Sequence, residues 1–118
     1  MDLKILIAHL SCGPLMVILT YIFYKFPPKK INALYGYRTN RSMQNQEVWD
    51  FANKVSTKYL LVASLITSLV QAIIILMKYQ SENGLLASIT ILLLLLGLSI
   101  WKTEIELNKN FDKKGNRL

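Results

Sequence analysis

The chain holds one cysteine, one histidine, three prolines and only seven acidic residues among 118. A lone Cys12 excludes an intramolecular disulfide and a thiolate metal cluster, and it reads as a small apolar packing residue. Hydrolytic or transfer chemistry needs a nucleophile with a base, or a metal cluster, and one Cys with one His supplies neither convincingly. His9 and Cys12 are three residues apart on one apolar segment, a setting that disfavours the reactive thiolate. Tyr35, Tyr37, Glu47 and Asp50 are the remaining acid or base candidates. The chain therefore reads as a non-enzyme with no cofactor. Charge is also absent where it matters: no ionisable residue falls between Leu85 and Trp101.

What is present is apolar. Hydrophobic residues make up 53% of a chain whose formal net charge is +7, and the two kinds are separated into blocks, the pattern of a small polytopic membrane protein. Ile5 to Phe26, Tyr59 to Met77 and Leu85 to Trp101 each approach the roughly 20 residues that span a bilayer core. A soluble bundle this small has no means of covering three helices that are apolar on every face. The first run is too long for a signal-peptide core and lacks a clear small-x-small cleavage site, so Met1 to Phe26 is expected to remain as a span. The expected fold is all-α: one membrane domain of three transmembrane helices (5–26, 59–77, 85–101). A connector, 27–58, carries a short interfacial helix between spans 1 and 2, and a tail covers 102–118.

Lysine and arginine placement sets the orientation. Twelve of the 14 cationic residues lie at the edge of the connector, within it or in the tail, while Lys4 and Lys78 alone mark the opposite side. The positive-inside rule then puts the N-terminus outside and the connector and C-terminus in the cytoplasm. Tyr21, Phe23, Tyr24, Phe26, Tyr59 and Trp101 gather at the same interface. Topology accounts for the basic balance, and no nucleic-acid recognition motif is present.

Within the first span Gly13-Pro14 predicts a kink, and His9, Gly13, Met16, Thr20 and Tyr24 form a smaller, more polar face expected to meet the other helices. His9 lies about a turn from the outer end, which favours a packing role over a proton-linked one. Ser64, Thr67, Ser68 and Gln71 make a close-packing stripe on the second span, used within one subunit or between two. After Trp101, Ile105, Leu107 and Phe111 predict an amphipathic extension that stops near Lys113, Lys114 and Gly115, close to the connector.

The connector concentrates the recognisable chemistry. Pro27-Pro28 ends the first helix, and Lys29 and Lys30 suit anionic lipid head groups. Gly36 between Tyr35 and Tyr37 implies a turn needing a permissive backbone. Arg38 and Arg41, among Thr39, Asn40 and Ser42, offer donors to a phosphate or carboxylate. Ser42 is an N-cap candidate for a helix from about Met43 into the second span, on which Glu47 and Asp50 are positioned to hold the arginines, and Trp49 shares a face with Asn53. Asn40-Arg41-Ser42 fits the glycosylation sequon, which a cytoplasmic loop would not use. These residues either bind a ligand or fold the connector against the membrane surface.

Asn32, Gly36-Tyr37-Arg38-Thr39, Ser42 and Trp49, followed by Asn53, resemble the signature of the SdpI family of bacterial membrane proteins. The resemblance implies a protein of the bacterial cytoplasmic (inner) membrane, of the immunity type. Such a protein protects a cell from a secreted killing peptide and draws a transcriptional repressor to the membrane. It also implies that the outer helix ends meet the toxin and that Asn32, Tyr35 to Thr39, Arg41, Ser42, Trp49 and Asn53 serve the regulator, with Arg38 organising the site and Trp49 anchoring it at the interface. The family's best-known member carries additional spans ahead of the shared module, and this chain does not. Anionic lipid is the second expected partner, and self-association is open.

Overall fold

A computed structural model describes residues 3–32, 34–77 and 82–118. Met1 and the Lys78 used in the charge count lie outside the described residues. Among the described residues four helices follow one another: α1 Leu3–Cys12, α2 Pro14–Lys25, α3 Gln46–Leu76 and α4 Glu82–Asn110. The segment from α1 to α2, α3 and α4 are each long and apolar enough to cross a bilayer. The protein is thus a multi-pass membrane protein with the expected all-α, three-span layout.

The first span breaks where the sequence placed the break. Pro14 has no N–H, and Gly13 takes φ −105° and ψ −90°, outside the helical region. The Gly13 N–H still reaches the His9 carbonyl and the Val17 N–H the Gly13 carbonyl, both at 3.0 Å. Only one turn is interrupted, so α1 and α2 continue as one bent span. Gly13 also lies against α3: a Cβ there would clash with Gln71 Oε1 and stand 3.2 Å from Ser68 Oγ. Glycine is what lets the two helices approach.

The interior of the membrane part is small and polar rather than oily. Buried there are His9, Thr20, Ser64, Thr67, Gln71, Ser88, Ser99 and Thr103, while Leu65, Leu69, Leu86, Leu93 and Leu94 are exposed. Lipid solvates the outer leucines as well as protein would, so helices associate through small residues that permit close approach. Most hydroxyls are satisfied within their own helix: Thr67 donates to Ala63 O at 2.9 Å, Ser88 to Gly84 O at 3.1 Å, and Thr103 to Ser99 O at 2.8 Å. Thr20 and Ser64, which also contact the carbonyls of Met16 and Leu61 in their own helices, hydrogen-bond to each other across helices at 2.9 Å. The predicted faces on spans 1 and 2 therefore meet, although Tyr24 is exposed. Ser88, Ser99 and Thr103 add a third stripe, on α4.

α3 and α4 run 31 and 29 residues, about 46 and 44 Å at 1.5 Å per residue, well beyond a hydrocarbon core of about 30 Å. Both protrude on the connector side. The expected short interfacial helix is the first part of α3, continuous with the span. Its N-cap is Asn45, whose side-chain oxygen accepts from the Val48 N–H at 2.9 Å. Ser42 sits three residues earlier and closes a turn instead. α4 likewise continues past Trp101 as its amphipathic pattern predicted, burying Leu107, with Phe111 buried just beyond its end.

Candidate functional site

Outside the membrane part the packing reverses and becomes apolar. Val48 and Ala52 of α3 pack with Leu107 of α4 and with Phe111, flanked by Tyr37 and Phe51. On this core the connector and the tail fold into a single head.

Each motif residue holds a defined part of that head. Asn32 Oδ1 accepts from the N–H groups of Leu34 and Tyr35, both at 2.9 Å, closing the first turn. Gly36 follows at φ 108°, a left-handed conformation that side chains rarely adopt. The next N–H, that of Tyr37, donates to Asn53 Oδ1 at 2.7 Å, while Asn53 Nδ2 donates to the Trp49 carbonyl at 3.0 Å. Ser42 Oγ accepts from the Thr39 N–H at 2.8 Å and donates to the Tyr37 carbonyl at 2.8 Å. One hydroxyl thus ties both sides of the Tyr37 to Thr39 turn. Trp49 is fully buried and its Nε1–H donates to the Pro28 carbonyl at 2.8 Å. It is a bolt through the head and not an interfacial anchor, which corrects the sequence reading of that residue.

The tail supplies the second half. Arg41 donates to the carbonyls of Phe111 and Asp112 at 3.0 and 3.4 Å, a cation at the end of α4 where carbonyls are otherwise orphaned. Gln44 donates to Lys113 O at 2.7 Å and Asn45 Nδ2 to Gly115 O at 2.8 Å. Glu47 pairs with Arg117 at 3.3 Å, so it does not hold Arg41 as its spacing suggested; Asp50 accepts from Gln46 at 2.7 Å. The helix stop comes earlier than Gly115: α4 ends at Asn110, and the tail doubles back so that the Leu118 N–H reaches the Asn110 carbonyl at 2.9 Å. Arg41→Ala is expected to destabilise the head by about 1.5–3 kcal/mol, the range for hydrogen bonds to charged groups. Limited proteolysis should then cut the tail near residues 111–118 faster than in the parent. Equal cleavage rates would show that the guanidinium is dispensable.

Tyr37 joins the connector to α4 by donating its hydroxyl to the Glu104 carboxylate at 2.5 Å. Burial, with the Glu104 hydrogen bond and charge added to it, holds the Tyr37 hydroxyl far above its usual range. It is therefore a neutral donor rather than a base. His9 is buried, neither of its ring nitrogens has a hydrogen-bond partner among the described residues, and Cys12 is free. The two do not form a nucleophile–base pair. Among the described residues no group of three or more His, Cys, Asp or Glu is arranged to hold a metal.

Ser42, Trp49 and Asn53 are buried, whereas Arg38 stays exposed. It lines, with Gly36, Tyr37 and Thr39, the connector end of a cavity of about 450 Å³ whose walls are Thr20 and Phe23 of α2, Ser56, Thr57 and Leu60 of α3, and Leu96 and Ile100 of α4. Across Pro28 lies a second cleft, lined by Lys25, Lys29 and Lys54 with Asp50. Sequence reasoning missed Glu104, Asn45 and the backbone carbonyls of Pro28 and Phe111. The carbonyls carry no residue-type signal, whereas Asn45, three residues before the buried Val48, was a readable cap.

The SdpI/YfhL protein family model matches residues 29–102, taking in the connector, the second and third spans and Trp101. Among curated proteins the chain is similar to the uncharacterized protein YfhL of Bacillus subtilis (strain 168), with 44% identity over 54 residues, or 46% of this chain and 49% of that protein. The chain thus aligns with about half the length of that relative. No solved structure matches the chain.

Proposed function

The chain belongs to the SdpI/YfhL protein family, and from that premise we propose that it acts without catalysis, as an immunity-type protein of the bacterial inner membrane. In this reading the N-terminus is outside and the head is cytoplasmic, as the lysine and arginine asymmetry favours. The outer helix ends meet a secreted antimicrobial peptide, and the head captures a cytoplasmic regulator.

One observation carries the reading. Asn32, Gly36, Ser42, Trp49 and Asn53 are occupied in shaping the head, and the shape they build displays Arg38 at its surface. A motif that fixes one exposed arginine is suited to recognition, since a guanidinium supplies a planar fork of donors to a carboxylate or phosphate. Arg38→Ala should leave membrane insertion unchanged while abolishing protection and regulator capture, read by survival under toxin challenge and by co-purification. Full protection by that variant would sink the role given to Arg38.

Binding of anionic lipid head groups is the second reading, supported by the exposed Lys29, Lys30 and Arg38 beside exposed Tyr24, Phe26 and Tyr35. Arg41 no longer contributes to it, being directed at the tail.

A further inference from the structure

The bend at Gly13-Pro14 has an effect on the connector side of the membrane. The backbone of α1 comes close to α4, whereas that of α2 packs against α3 and makes no close approach to α4 among the described residues. The first span thus leans away from α4 below the break. The gap is the cavity of about 450 Å³, floored by Leu60, walled by Phe23 on one side and by Leu96 and Ile100 on the other, and roofed by Tyr37 to Thr39.

From this geometry we propose that the gap is a slot for one acyl chain of an anionic phospholipid from the connector-side leaflet, with the lipid phosphate at Arg38 and Thr39. Size, polarity and charge each support that occupant. The volume falls in the roughly 300–1,000 Å³ range of ligand pockets, yet an α-helix about 10 Å wide would fill it with about one turn, so a single extended chain fits better than a helical peptide. The walls are apolar where an acyl chain would lie, and the hydroxyls of Thr20 and Thr57 are already directed at their own helices' carbonyls. The cationic end is where a head group would be: Arg38 in the roof, with Lys29 and Lys54 in the cleft across Pro28.

The slot rests on the lipid reading and gives it a location and a stoichiometry. The full chain is reconstituted in nanodiscs of equal phosphatidylglycerol and phosphatidylcholine and released into mild detergent, and retained lipid is counted by native mass spectrometry. One phosphatidylglycerol per chain is expected, preferred about tenfold, equivalent to about 1.4 kcal/mol. Leu60→Trp and Leu96→Trp, which fill the slot, should lose it, whereas Leu94→Trp, at a position 69% exposed on the opposite side of α4 from Leu96, should keep it. Arg38→Gln, at an exposed position, should retain lipid without the head-group preference. Equal retention of the two lipids by the parent would overturn the lipid reading itself. A preference that survives both slot-filling changes, or survives Arg38→Gln, would overturn the slot.

Discussion

Trp49→Ala is expected to destabilise the protein by about 3–5 kcal/mol, the largest effect of any single truncation in the head. Trp49 is fully buried, so truncation opens a cavity under the connector and also leaves the Pro28 carbonyl without its donor. Trp49→Phe separates the two contributions: it keeps most of the apolar volume and should cost about 1–3 kcal/mol, mainly through the unpaired carbonyl. Thermal unfolding in detergent, followed by near-ultraviolet circular dichroism, measures both. If Trp49→Ala melted within a degree or two of the parent, the indole would be peripheral, as an interfacial anchor is.

Gly36→Ala attacks the same joint from the other side. At φ 108° an alanine is strained by about 1–3 kcal/mol whatever the space around it. The space is also closed, because the new Cβ would stand 2.7 Å from Pro28 Cγ, 2.8 Å from Asn53 Oδ1 and 3.3 Å from the Trp49 ring. Overpacking of this kind adds about 1–3 kcal/mol. The clash with Asn53 Oδ1 displaces the acceptor of the Tyr37 N–H, so the variant should lose the placement of Arg38 along with stability. Because a Cβ at Gly36 would meet the Trp49 ring itself, the double variant should lose less than the sum of the two singles. Strict additivity in thermal unfolding would argue against the shared contact.

Apolar periodicity and length announced the three spans, and Gly13-Pro14 announced the bend, because both follow from backbone chemistry and the thickness of the bilayer. The stripes on spans 1 and 2 were legible for the same reason: small residues at helical spacing have few uses inside a membrane other than close packing. The head was only half legible. Gly36 declared a turn through its residue type, and Trp49 and Asn53 declared a shared face through their spacing. Neither showed that the face points inward, because residue type does not distinguish an indole at the membrane surface from one donating to a backbone carbonyl 21 positions earlier. The arginines misled in a similar way. Glu47 and Asp50 stand at suitable spacing for ion pairs, yet Arg41 reaches the end of α4, where carbonyls without helical partners offer a better buried acceptor than an exposed carboxylate.

The central claim is that the connector motif is a folded scaffold, locked by Asn53 and Ser42, from which Arg38 is displayed. Amide hydrogen exchange of the nanodisc-embedded protein tests it most directly. The N–H groups of Tyr37 and Thr39 lie in a loop and not in a helix, but they donate to Asn53 Oδ1 at 2.7 Å and Ser42 Oγ at 2.8 Å. They should therefore exchange as slowly as the amides at the start of α3, and Asn53→Ala should release the Tyr37 amide first. Exchange of both amides at the rate of an unstructured peptide in the parent protein would contradict the scaffold.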